Sequence, residues 1–144
     1  LVVHHLLPDA GAMLRSFTPD LPWHRRAMAR ATFGMLRPRL AAAFGIDAAA
    51  VARAFEKVSA AGELLREHGG PRGYLVGDTF TVADLTLAAL SAPAVCPPQF
   101  PYPQPHRDHP LLAPVRDALA HAGILDWTRD MYTRHRPPSA AVAG

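Results

Sequence analysis

Gly77-Asp78-Thr79-Phe80-Thr81-Val82-Ala83-Asp84-Leu85 carries the parts of a helix start in their required order. Thr81 stands at the N-cap position, where a hydroxyl can accept a backbone N–H from the first turn. Asp84, three residues on, can reach back to the Thr81 N–H and close a capping box. Its carboxylate also falls where the helix dipole favours negative charge. Phe80 before the cap and Leu85 in the first turn have the spacing of a hydrophobic staple. The run that follows, Val82 to Leu90, is apolar nearly all round and predicts a helix buried on all sides over 82–91. The work assigned to Thr81 and Asp84 is folding, not turnover.

Outward from this block the chain reads as helices. Toward the N-terminus, Asp47 is a cap, and Val51, Ala54, Phe55, Val58, Ala61, Leu64 and Leu65 form one apolar face. Gly69-Gly70-Pro71 stops that helix. Before it, Ala29, Phe33, Leu36, Leu40 and Phe44 mark an amphipathic helix over 22–44, with Asp20 as a candidate cap and Gly45 as its stop. Pro38 lies within that stripe and predicts a kink or break near 34–38, since an interior proline costs about 3 kcal/mol. Ala10–Phe17 is a short helical piece ending before Thr18-Pro19, and Leu1–Leu7 reads as the end of a helix. Toward the C-terminus, seven prolines between Pro93 and Pro110 predict a long surface loop pinned by Phe100 and Tyr102. Two short helices follow. Leu111, Leu112, Val115, Leu119 and Ala122 face inward from the first, and Pro114 sits in its opening turn. Asp126 caps the second, with Trp127 and Met131 turned inward. No segment alternates as a strand does. The expected fold is all-α: an orthogonal bundle of about five to six helices over residues 1–136, with a flexible tail at 137–144.

The block Tyr74-Leu75-Val76-Gly77-Asp78-Thr79-Phe80-Thr81-Val82-Ala83-Asp84-Leu85 resembles the capped core helix of the C-terminal domain of cytosolic glutathione transferases. The order of elements around it, an amphipathic helix before and short helices after, is similar to that domain over residues 1 to 136. The resemblance implies the helical half of an enzyme that joins glutathione to hydrophobic electrophiles. In that family a preceding thioredoxin-like domain binds glutathione and activates its thiol, and the chain as given holds none of it. By the same resemblance, Leu1–Leu7 is the end of a truncated first helix. His4, His5 and Leu7 are then candidates for the wall of the electrophile pocket, and a homodimer in the cytoplasm is implied. This chain alone is expected to be inactive and to bind no cofactor, with glutathione a co-substrate of the longer protein. The same fold also serves as a non-catalytic assembly module, which is the alternative reading.

Composition bounds the remaining classes. A chain of 144 residues with 19% charged side chains is long enough to bury a core. Its single cysteine, Cys96, cannot close an internal disulfide. It follows a helix C-terminus, where the dipole opposes a thiolate, and reads as structural. The eight histidines include His4-His5, which point about 100° apart on a helix, and His106-x-x-His109, which lacks a third ligand. No metal site is expected. No run is long enough to span a bilayer. Six arginines and one acid, Asp20, lie between Arg15 and Arg39. That charge alone, with no aromatic interleaving, does not point to nucleic acid. No catalytic constellation is present.

Overall fold

A computed structural model of the chain describes residues 1–17, 22–70, 72–100 and 107–136. Among them there are seven α-helices and no strand: α1 (Val2–Leu6), α2 (Ala10–Phe17), α3 (Trp23–Ala43), α4 (Ala48–His68), α5 (Val82–Val95), α6 (Ala113–His121) and α7 (Ile124–His135), with a 3₁₀ turn at Pro110–Leu112. The all-α expectation holds. The cap assigned to Asp20, the side chain of Tyr102, His106 and the tail at 137–144 lie outside the described residues.

Two packing centres result. The larger lies where α4, α5, α6 and α7 converge. Val95, Val115, Leu119, Ala122 and Ile124 are buried together there, with Phe55, Val58 and Leu65 of α4 half-buried against them. Trp127, Met131 and Tyr132 of α7 continue it against Ala88 and Ala92 of α5. Gly62 allows the closest approach. A Cβ there would lie 2.7 Å from both Cβ and carbonyl oxygen of Ala122, so only glycine lets α4 meet the α6–α7 corner. That corner turns on Gly123, at φ +75°. The smaller centre joins Leu6, Leu7, Ala12, Met13 and Phe33 to Leu112.

The helix ends follow the local chemistry. Asp47 accepts the Ala50 N–H at 2.6 Å. Phe44 ends α3 with Gly45 left-handed at φ +59°, and the N–H groups of Gly45 and Ile46 donate to Ala42 and Ala41, a Schellman closure. Leu7 closes α1 through Val3, and Pro114 sits in the first turn of α6.

Several expectations need correction. Helix α3 runs through Pro38 without a break. The proline removes the backbone bond to the Gly34 carbonyl, and the helix continues on both sides of that gap. Its stripe is only partly used: Phe33 is buried, Leu40 is half-buried, and Leu36 and Phe44 are exposed. Gly69 ends α4 with negative φ, not left-handed. Helix α5 extends to Val95 through Pro93, so the proline-rich stretch begins at Cys96. Gly123, not Asp126, is the N-cap of α7, and Asp126 instead pairs with Arg129 at 3.3 Å on the surface. The largest correction concerns α5. It is not buried on all sides: Val82 and Leu90 are each 77% exposed and Leu85 is 55% exposed, while Asp84, Ala88, Ser91 and Ala92 face inward.

Candidate functional site

A polar constellation is built on Asp84, the one buried carboxylate among the described residues. Asp84 is 0% exposed. Its Oδ2 accepts the Thr81 N–H at 2.8 Å and the Thr81 hydroxyl at 2.7 Å, and its Oδ1 accepts the Leu75 N–H at 2.7 Å. The capping box is closed, and a bond to Leu75 that no capping rule supplies ties the helix start to the loop six residues earlier. Burial pushes the Asp84 carboxyl up, but the Leu75 N–H, the Thr81 hydroxyl and the Thr81 N–H outweigh it and hold the carboxyl below the ordinary range. Phe80 stacks on the ring of His135 with centroids 4.2 Å apart, while its expected staple partner Leu85 stays more than half exposed.

Helix α7 clamps the same loop. The Trp127 indole N–H donates to the Gly73 carbonyl at 2.7 Å, and the Arg134 guanidinium donates to the Arg72 carbonyl at 3.0 Å. Tyr74 meets His135 Nε2 at 3.1 Å, with Arg134 over its ring. The loop launching α5 is therefore held from below by Asp84 and from the side by three residues of α7. All of these partners are remote in sequence and carry no local signal.

Beside this knot lies an apolar groove of about 360 Å³ between α4 and α5. Leu64 and Ala61 form one wall, Val82, Thr86, Leu87 and Leu90 the other, and Leu75 and Ala83 complete it. Leu64, expected in the core, is 51% exposed and belongs to this groove. The lining has no titratable side chain. The groove can hold apolar surface and exclude water; it cannot move a proton.

The N-terminal candidates lie elsewhere. Leu7 is 5% exposed and packs into the smaller core. His4 and His5 are half-buried, edge to face with one another, and His5 is edge to face with Phe55 of α4. Burial, then the neighbouring His4 and the terminal amine, lower the His5 pKa. Close by, Asp9 caps α2 through the Ala12 N–H at 2.9 Å and meets His109 Nε2 at 3.1 Å. The Leu111 N–H donates to His109 Nδ1 at 3.3 Å, so the proton rests on Nε2 and is given to Asp9. With both nitrogens engaged, His109 joins α2 to the 3₁₀ turn and is not a free base. The Ala12 N–H, followed by His109, lowers the Asp9 pKa.

Cys96 is buried in a left-handed C-cap conformation at φ +52°, its thiol directed to the Pro93 carbonyl at 3.5 Å. Burial raises its pKa against the pull of Arg116 and Arg107, so it is held as a thiol. Among the described residues no group of three or more His, Cys, Asp or Glu could hold a metal ion, and no helix is long and apolar enough to cross a membrane.

Residues 48–90 match the family model for the C-terminal domain of glutathione S-transferase. The matched segment takes in α4, the clamped loop and α5 as far as Leu90, and so contains both the Asp84 knot and the groove. No curated protein and no solved structure matches the chain.

Proposed function

We propose, from the premise that residues 48–90 are those of a glutathione S-transferase C-terminal domain, that this chain is the helical half of a glutathione transferase-like enzyme. In this reading it supplies an apolar wall for a hydrophobic electrophile and contacts between two subunits, in the cytoplasm. Glutathione is the co-substrate of the longer protein, bound and activated by a thioredoxin-like domain. The observation that carries the reading is the family match across the capped helix and its groove. The residues themselves are suited to walls and not to chemistry. The groove has no ionisable lining, the one cysteine is held as a thiol, and His109 has both ring nitrogens engaged. His4 and His5 form a second candidate wall in this reading, apart from the groove, with Leu7 behind them in the smaller core.

The experiment is a complementation assay. The 144-residue chain with glutathione and 1-chloro-2,4-dinitrobenzene gives no turnover above the uncatalysed rate. The chain joined to a thioredoxin-like glutathione-binding domain gives turnover that saturates in both substrates. Turnover by the chain alone contradicts the assignment of the chemistry to the other domain. Absence of turnover in the joined protein favours the second reading, a non-catalytic assembly module of the same fold. What supports that second reading is the apolar surface left exposed on α3 and α5.

A further inference from the structure

Helix α3 presents a second apolar face that the bundle does not cover. Phe33 and Leu40 mark its inner side, packed in the smaller core. At 100° per residue, the opposite side carries Trp23, Ala27, Met28, Ala31, Met35 and Ala42, all exposed. Trp23 is 82%, Met28 66% and Met35 67% accessible. These residues span an arc of about 140° on a helix of 21 residues, about 30 Å long. His24, edge to face with Trp23, is the one titratable side chain within the arc. Contiguous apolar surface with a polar rim marks an interaction site.

Arginine flanks this arc and does not enter it. Arg25 and Arg39 fall beyond one edge, Arg30 and Arg37 beyond the other, and all four are exposed. Among the described residues none of the four is in an ion pair. No acidic residue lies between Pro22 and Ile46. The acids at hand are engaged elsewhere. Asp47, next along the chain, accepts the Ala50 N–H. Asp9 borders Gly11, as Arg30 does, but accepts the Ala12 N–H and meets His109.

This distribution selects the partner. A nucleic acid is met by cations on the contacting face, and here that face is mostly alanine and methionine. An anionic bilayer asks for the arrangement observed. Apolar side chains sink to the boundary of headgroup and acyl chain, and cations at both edges reach the phosphates with their aliphatic stems along the apolar surface. An indole at the end of the ridge favours the same interface. We infer that α3 docks the protein flat on an anionic lipid bilayer, with Trp23, Met28 and Met35 inserted and the four flanking arginines on lipid phosphates. The helix lies on the membrane and does not cross it. The inference is independent of the functional reading, and its test reads no activity.

The test is flotation of the full chain with phosphatidylcholine vesicles containing about 30% phosphatidylglycerol. Binding is expected, with a blue shift of tryptophan emission. Trp127 is only 9% exposed, so the shift reports Trp23 and is lost in Trp23→Phe. Neutral phosphatidylcholine vesicles, and salt raised from about 50 to about 500 mM, are each expected to weaken binding about 10-fold or more. The double variants Met28→Gln/Met35→Gln and Arg30→Gln/Arg37→Gln are each expected to lower the partition coefficient about 10-fold or more. All four sites are exposed, so circular dichroism and melting temperature stay unchanged. Failure to bind the anionic vesicles overturns the inference. So does binding that the arginine pair weakens and the methionine pair does not, which is adsorption by charge without insertion. Equal binding to a DNA duplex, indifferent to the methionine pair, gives the arginines to nucleic acid and overturns it. A dimer in sedimentation, dispersed by the methionine pair, gives the ridge to a second copy and overturns it as well.

Discussion

Residues 48–136 and residues 1–46 are built from similar helices but held in different ways. In the first region the start of α4, the loop into α5 and the α6–α7 corner are each capped or tied to another element. Asp47 caps α4, Asp84 gathers three donors, Trp127 reaches Gly73, and Gly62 lets α4 sit on the α6–α7 corner. In the second, a helix of 21 residues rests on the body with Phe33 as its one fully buried side chain. The two long helices α3 and α4 are equal in length, so helix length does not account for the difference. Burial and the satisfaction of buried polar groups do. The family match falls wholly within the cross-tied region.

The sharpest way to break this contrast is to remove the carboxylate. Asp84→Ala strands the Leu75 and Thr81 N–H groups and is expected to cost about 3 kcal/mol. At about 3 °C per kcal/mol for a chain of this size, thermal unfolding falls by roughly 9 °C. An unchanged melting temperature would show that the knot is incidental. Gly62→Ala places a methyl against the Ala122 backbone, and overpacking there is expected to cost about 2 kcal/mol, read from the urea midpoint. Thr81→Ala keeps the carboxylate and loses the cap, for about 1 kcal/mol; Thr81→Ser recovers most of it.

Acid offers a graded version of the same test. The carboxyls of Asp84 and Asp9 are both lowered in the folded protein. Their contribution is complete above the unfolded carboxylate value of about 4 and is lost as pH falls through their folded values. Stability should therefore drop below about pH 4, and by less in Asp84→Asn than in the wild type. The smallest effect is expected on the open side of α5. Leu90→Gln should shift stability by no more than about 0.5 kcal/mol, whereas a loss of several kcal/mol would restore the picture of a helix buried all round.

The contrast also marks what could be seen before the structure. Helix starts were legible because capping is local: Asp47, Thr81 and Asp84 sit within one turn of the groups they satisfy. Apolar residues located α4, α6 and α7 for the same reason. Depth of burial was not legible. Apolar character says that Val82 and Leu90 prefer to be covered, not that this chain covers them. Pro38 predicts a kink or a break from its local cost alone, and the helical turns on either side carry α3 through it. The groove needed two helices at once, and the Leu75, Trp127, Tyr74 and His135 contacts to the loop span long sequence separations that no periodicity encodes. The His109–Asp9 pair joins residues 100 apart, beyond any motif.

The most direct measurement is native-state hydrogen exchange resolved to single amides. If Asp84 ties loop, helix and bundle into one cooperative unit, the Leu75 and Thr81 amides exchange only with global unfolding, as slowly as those of Met131 and Leu119, while the outer amides of α3 exchange through cheaper local openings. Equal protection in α3 and at Thr81, or fast exchange at Leu75, would contradict it.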